Sequence, residues 1–121
     1  RHWWITVGFL KTQYEFPHRT EVHALMKHPC DNENTIFRSI HGSANKAPKG
    51  YIYVMHFECT CSNNRQDCCA KIRLLLPDDE ERPHPGATWK VQVHRDAKNN
   101  YHRKADGTCG QKLEIRDEFV E

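Results

Sequence analysis

The chain has 121 residues, 37% of them hydrophobic, with 18 Lys and Arg against 16 Asp and Glu and a net charge of +2. That length suits one domain spanning 1–121. Its longest apolar stretches, near Trp3 to Leu10 and Ile72 to Leu76, fall short of the roughly 18 residues a membrane-spanning helix needs, so no membrane partner is expected. Charge is unevenly spread: residues 34–77 and 90–112 each hold six basic against two acidic side chains, while 78–89 and 113–121 each hold one against four.

Trp3 to Leu10 is aromatic and β-branched and predicts a strand, with no secretory leader expected ahead of it. Next, Thr20 is placed as an N-cap before Glu21 to His28, where Val22, Leu25 and Met26 recur at helical spacing and Glu21 occupies the positive first turn. After the turn chemistry of Pro29 to Asn34 the period becomes two. Thr35 to His41 and Tyr51 to Cys59 read as the strands of a long hairpin, joined by a polar loop at 42–50. Cys68 to Leu76 predicts a further strand with Ala70, Ile72 and Leu74 on one face and Lys71 and Arg73 on the other. Pro77 to Gly86 is a hydrophilic tip, in which Asp78 to Glu81 serves solubility. Thr88 to His94 alternates cleanly as another strand, and Leu113 to Ile115 adds a short one.

Six cysteines (Cys30, Cys59, Cys61, Cys68, Cys69, Cys109) form an even set compatible with three disulfides, but four of them crowd into residues 59–69 beside a chain rich in His. Crowding of that kind suits a structural zinc site, which needs four N or S ligands in a tetrahedron. Cys59 ends one predicted strand and Cys68 begins the next, so a turn joins them. The strand ending at His94 runs back toward both, and His102 follows it.

The order Phe57-x-Cys59, Cys68-x-Ala70-Lys71-Ile72-Arg73-Leu74, Trp89-x-Val91-x-Val93 and Asn100-Tyr101-His102 resembles the WRKY, glial-cells-missing and FLYWCH zinc fingers. Phe16 and the helix after it resemble the lead-in of the related Mutator-like transposase and FAR-RED-impaired domains. The resemblance covers about residues 16–105 and implies an α+β, mainly β fold: a four- or five-stranded antiparallel sheet with one short N-terminal helix, pinned by structural Zn2+. Asn100 stands where those families carry a histidine, and their Trp-Arg-Lys-Tyr-Gly-Gln-Lys heptad is replaced by Phe37 to Gly42. The expected ligands are Cys59, Cys68 and His102 with His94 as the fourth, Cys61 and Cys69 being the alternatives.

A closed zinc site leaves no open coordination position for hydrolysis. No phosphate-binding glycine loop, Gly-x-Ser-x-Gly, His-Glu-x-x-His or deaminase motif occurs, so neither an enzyme nor a small-molecule substrate is expected. The resemblance places Arg38, His41, Lys46 and Lys49 on a DNA-facing strand and loop, and Lys71, Arg73, Arg95, Lys98, Arg103 and Lys104 are candidates for neutralising phosphates. The leading expectation is a nuclear, sequence-preferring double-stranded DNA-binding domain of a transcription factor or transposon-derived protein. Two alternatives stand beside it: a secreted, disulfide-stapled β protein acting as ligand or inhibitor, and a zinc-stabilised protein-interaction module.

Overall fold

The computed structural model describes residues 4–27, 37–44, 46–59, 71–94 and 114–115, with the backbone alone at 26–27, 37–41, 43, 59 and 114–115. The chain runs β1 (Trp4–Lys11), α1 (Arg19–Leu25), β2 (Met26–Lys27), β3 (Phe37–Ser43), β4 (Tyr51–Cys59), β5 (Lys71–Pro77), a 3-10 turn (Asp78–Glu80), β6 (Thr88–His94) and β7 (Glu114–Ile115). Strands β3 to β6 form an antiparallel meander, and β1 pairs antiparallel with β6 to give a five-stranded sheet in the order β1-β6-β5-β4-β3. The short strands β2 and β7 pair separately. The mainly β architecture with one short helix therefore agrees with expectation.

The imperfect alternation of the first strand has a local cause. Register shifts between Thr6 and Gly8, leaving Val7 as the extra residue of a bulge, and β3 and β4 carry similar shifts around Ile40 and Ile52. An extra residue re-aims the side chains that follow it. Val7 and Ile52 pack against the core despite being out of phase. By contrast β6 has no register shift against β5 and alternates strictly, burying Trp89, Val91 and Val93.

One sheet face carries Phe57, Ile72, Leu74, Leu76, Trp89, Val91 and Val93, which form a single buried cluster with Leu10, Val22 and Leu25. Val22 and Leu25 are the buried residues of α1, so the helix covers this face. Phe16, in the connection before it, meets Tyr53 at 5.0 Å between ring centroids.

The helix begins earlier than Thr20, which lies inside it. His18 is the cap residue: its carbonyl accepts the N–H of Glu21 at 2.9 Å and of Val22 at 3.2 Å. Its imidazole does not cap; it stacks on Tyr14 at 3.8 Å and 5°. Capping passes to Glu21, whose Oε1 accepts the His18 N–H at 3.0 Å, the reciprocal half of a capping box. The same carboxylate accepts the buried Thr12 hydroxyl at 2.8 Å and the Gln13 N–H at 3.0 Å. It thereby fastens the connection between β1 and α1. The helix stops at Leu25 because Met26 enters β2, so the predicted extension to His28 is not realised over Met26 and Lys27.

Two glycine turns close the far end of the sheet. Tyr51 N–H bonds the Pro48 carbonyl across Gly50 (φ 92), and Ala87 N–H bonds the His84 carbonyl across Pro85 and Gly86 (φ 88). Both match type II turns, whose third residue requires positive φ. Between them the Asp78 N–H bonds the Gly50 carbonyl at 3.1 Å. The acidic tip is more than a solubilising run. Glu80 accepts the Thr88 N–H at 3.0 Å and meets His84 Nε2 at 3.0 Å. Glu81, at φ 74 and ψ −41, is the centre of a γ-turn closed by the Arg82 N–H on the Glu80 carbonyl at 2.8 Å.

Candidate functional site

Antiparallel register sorts the candidate residues into two ends and two faces. At one end lie the start of β3, the end of β4, the start of β5, the end of β6 and the start of β1, as the pairs Phe37–Cys59, Glu58–Lys71, Ile72–Val93 and Trp4–His94 require. Both Cys59 and His94 therefore sit at this end. Cys68 and His102 lie outside the described residues, as do Cys30, Cys61, Cys69 and Cys109. In sequence Cys68 precedes Lys71, the first residue of β5, by three positions. The donor types, thiolate and imidazole, suit zinc.

His94 fits a site shared with Cys59 less well. β5 separates β4 from β6, which puts the two backbones roughly 9–10 Å apart, at about 4.8 Å per strand. Pleat alternation also gives Cys59 the parity of Phe57, on the core side, whereas His94 shares the parity of Gln92 and Lys90 on the other side. Zinc–ligand bonds of about 2.0–2.3 Å demand donor atoms within roughly 4 Å of each other. The His94 ring instead meets Trp4 edge-on at 5.3 Å. Among the described residues no group of three His, Cys, Asp or Glu stands close enough to hold a metal.

The face opposite the core collects four of the predicted DNA-contacting positions. Arg38 pairs with Glu58 and Glu58 with Lys71; His41 pairs with His56, His56 with Arg73 and Arg73 with Gln92. Residues so paired share a face. Arg38, His41, Lys71 and Arg73 thus occupy two adjacent rows, with Trp4 and Thr6 continuing them on β1. Lys71 is exposed and Arg73 partly so. Farther along the same face Lys90 places its Nζ 5.3 Å from the Tyr51 ring centroid.

Trp4, which as an aromatic strand residue is expected in the core, is instead the centre of the first cluster, on the opposite face. Arg73 Cζ lies 4.8 Å from its ring centroid, and His56 approaches its edge at 5.7 Å. Arg73 Nε donates to Gln92 Oε1 at 2.7 Å, and Gln92 Nε2 donates to Thr6 Oγ1 at 3.0 Å. The signal that finds this cluster is pairwise: it requires the register between β1 and β6, separated by most of the chain. Burial pushes the Arg73 guanidinium below its usual pKa, and the nearby Tyr51 phenol opposes that shift in part.

Lys46 and Lys49 are exposed but belong to the opposite end, in the loop between β3 and β4. There they neighbour the acidic 78–81 tip through the Asp78–Gly50 bond. This loop therefore lies at the end of the sheet opposite to the one at which β6 finishes. Arg95, Lys98, Arg103 and Lys104 lie outside the described residues. Among the described residues no helix is long and apolar enough to cross a membrane. No protein-family model, curated protein or solved structure matches the chain.

Proposed function

We propose that this chain is a zinc-stabilised, sequence-preferring double-stranded DNA-binding domain of a transcription factor or transposon-derived protein, acting in the nucleus and catalysing no reaction. The observation that supports it best is the convergence of Arg38, His41, Lys71 and Arg73 on adjacent rows of one sheet face while the opposite face is spent on the core. A cationic sheet face beside an aromatic ring suits a polyanion, because phosphate contacts position a protein on a duplex whatever the bases. Lys46 and Lys49 are peripheral to this face. Arg95, Lys98, Arg103 and Lys104 follow β6 in sequence.

Zinc would be held by Cys59, Cys68 and His102. For the fourth position His94 has the weaker geometry, and Cys61 and Cys69 are its competitors. The metal would tie the stretch between β4 and β5 to the one that follows β6 in sequence.

Native mass spectrometry and duplex binding test the two halves separately. One zinc per chain and six free thiols on denaturation are expected, together with duplex affinity that falls steeply with salt. Three disulfides without metal would instead favour the secreted reading. A zinc-loaded, folded chain indifferent to DNA at low salt would leave the protein-interaction module. Cys68→Ala should abolish zinc binding, and metal retention by His94→Gln would assign the fourth position to a cysteine.

A further inference from the structure

Arg73 lies on the central strand of the sheet, partly covered, and is held on two sides. Gln92 Oε1 takes its Nε–H at 2.7 Å, Gln92 is itself held by Thr6, and the guanidinium carbon lies 4.8 Å from the Trp4 ring centroid. Trp4 is in turn flanked edge-on by His56 and His94. Among the described residues neither terminal amino group of Arg73 has a hydrogen-bond partner and no carboxylate pairs with it. Among the described residues the guanidinium therefore gives up hydration without gaining a counter-anion, which is unfavourable. Its Nε bond and ring stacking fix the plane in which the remaining donors lie, so little freedom is left to lose when an anion arrives.

We propose that Arg73 is a preoriented fork for a single phosphate, its two terminal amino groups donating to two phosphate oxygens, with Trp4, Gln92 and Thr6 acting as positioning residues. Lys71 supplies a second charge two residues along the same strand, roughly 7 Å away. Bidentate guanidinium–phosphate pairing carries geometric specificity that a lysine ammonium lacks. The DNA reading above supplies the source of the phosphate, a backbone phosphodiester, and only that identification rests on it. A free phosphate ion or phosphomonoester presents the same oxygens.

The test uses the full chain with its metal and follows the Arg73 Nε–H resonance during separate titrations with inorganic phosphate and with a random-sequence duplex. Saturable movement in either titration supports the fork. Movement with phosphate but no duplex binding supports it while removing the DNA reading. Duplex binding with the resonance unmoved by either duplex or phosphate overturns the fork and spares the DNA reading, and silence in both titrations without duplex binding overturns the fork and the DNA reading together. Gln92→Leu and Arg73→Lys keep their positive charge at residue 73, so affinity should fall about tenfold with the salt slope unchanged. Arg73→Ala should lower that slope by about one. Unchanged affinity in folded Gln92→Leu would remove the positioning role.

Discussion

Replacing Glu21 with alanine tests how one carboxylate holds the helix on the sheet. Its three accepted bonds come from different places: the buried Thr12 hydroxyl, the Gln13 N–H and the His18 N–H at the helix start. The two backbone donors are exposed enough for water to replace Glu21, so their loss costs mainly the capping contribution, about 1 kcal/mol. Thr12 is different, being 1% exposed; its oxygen still accepts the Tyr14 N–H at 3.2 Å, but leaving the hydroxyl hydrogen without an acceptor costs about 1–3 kcal/mol. The sum is about 2–4 kcal/mol, a large share of the stability of a small domain. Urea unfolding followed by tryptophan fluorescence, at fixed metal and reductant, measures it. Thr12→Val removes the stranded group, so the penalty of Glu21→Ala should shrink by about 1 kcal/mol in that background. A loss below about 0.5 kcal/mol, or an equal loss in both backgrounds, would refute the reasoning.

Glu80 carries a pH signature. The Thr88 N–H, first, and then the His84 contact hold its carboxyl below the usual value. A depressed pKa means that its stabilisation is present above the unfolded value of about 4.3 and disappears as pH falls through the folded value. The stability gap between the parent chain and Glu80→Gln should therefore narrow from pH 6 to pH 3, as read by denaturant midpoints. Glu81→Gly relieves a backbone conformation that costs a side chain about 1–3 kcal/mol, less the flexibility glycine adds to the unfolded chain. A net gain near 1 kcal/mol, raising Tm by about 3 °C in calorimetry, is expected. Phe57→Ala should cost about 3–5 kcal/mol in the same urea assay, since Phe57 is fully buried at the centre of the core cluster. If zinc is structural, chelation should unfold the domain, seen as loss of far-ultraviolet signal restored by added zinc.

Local pattern made β4 and β6 legible to the residue, because Tyr51 to Cys59 and Thr88 to His94 are bounded by turn residues and carry strand-forming side chains. β1 was legible as a strand but not in its phase, since the bulge at Val7 is decided by pairing with β6. The helix start was misplaced by two residues because Thr20 has a capping side chain, while the real cap is supplied from within the helix by Glu21. The basic face was half legible: alternation put Lys71 and Arg73 together, but only register adds Arg38 and His41 and moves Lys46 and Lys49 to the far end. Trp4 above Arg73 was not legible, because residues 4 and 73 meet only once β1 has joined the sheet beyond β6.

That last strand also sets an order of assembly. Within the meander the paired strands are neighbours in sequence, whereas β1 joins Leu10 to Trp89 and Trp4 to His94 across nearly the whole chain. Closing so long a loop costs more entropy than closing a hairpin, so β1 is expected to dock after the meander has formed. Until it does, Arg73 has no ring beneath it and Gln92 has no Thr6 to hold it. The arginine is then an ordinary flexible cation on a half-built sheet, and an emerging or partly unfolded chain presents charge without orientation. Discrimination between a phosphate and any other anion would therefore arrive only with the final step of folding.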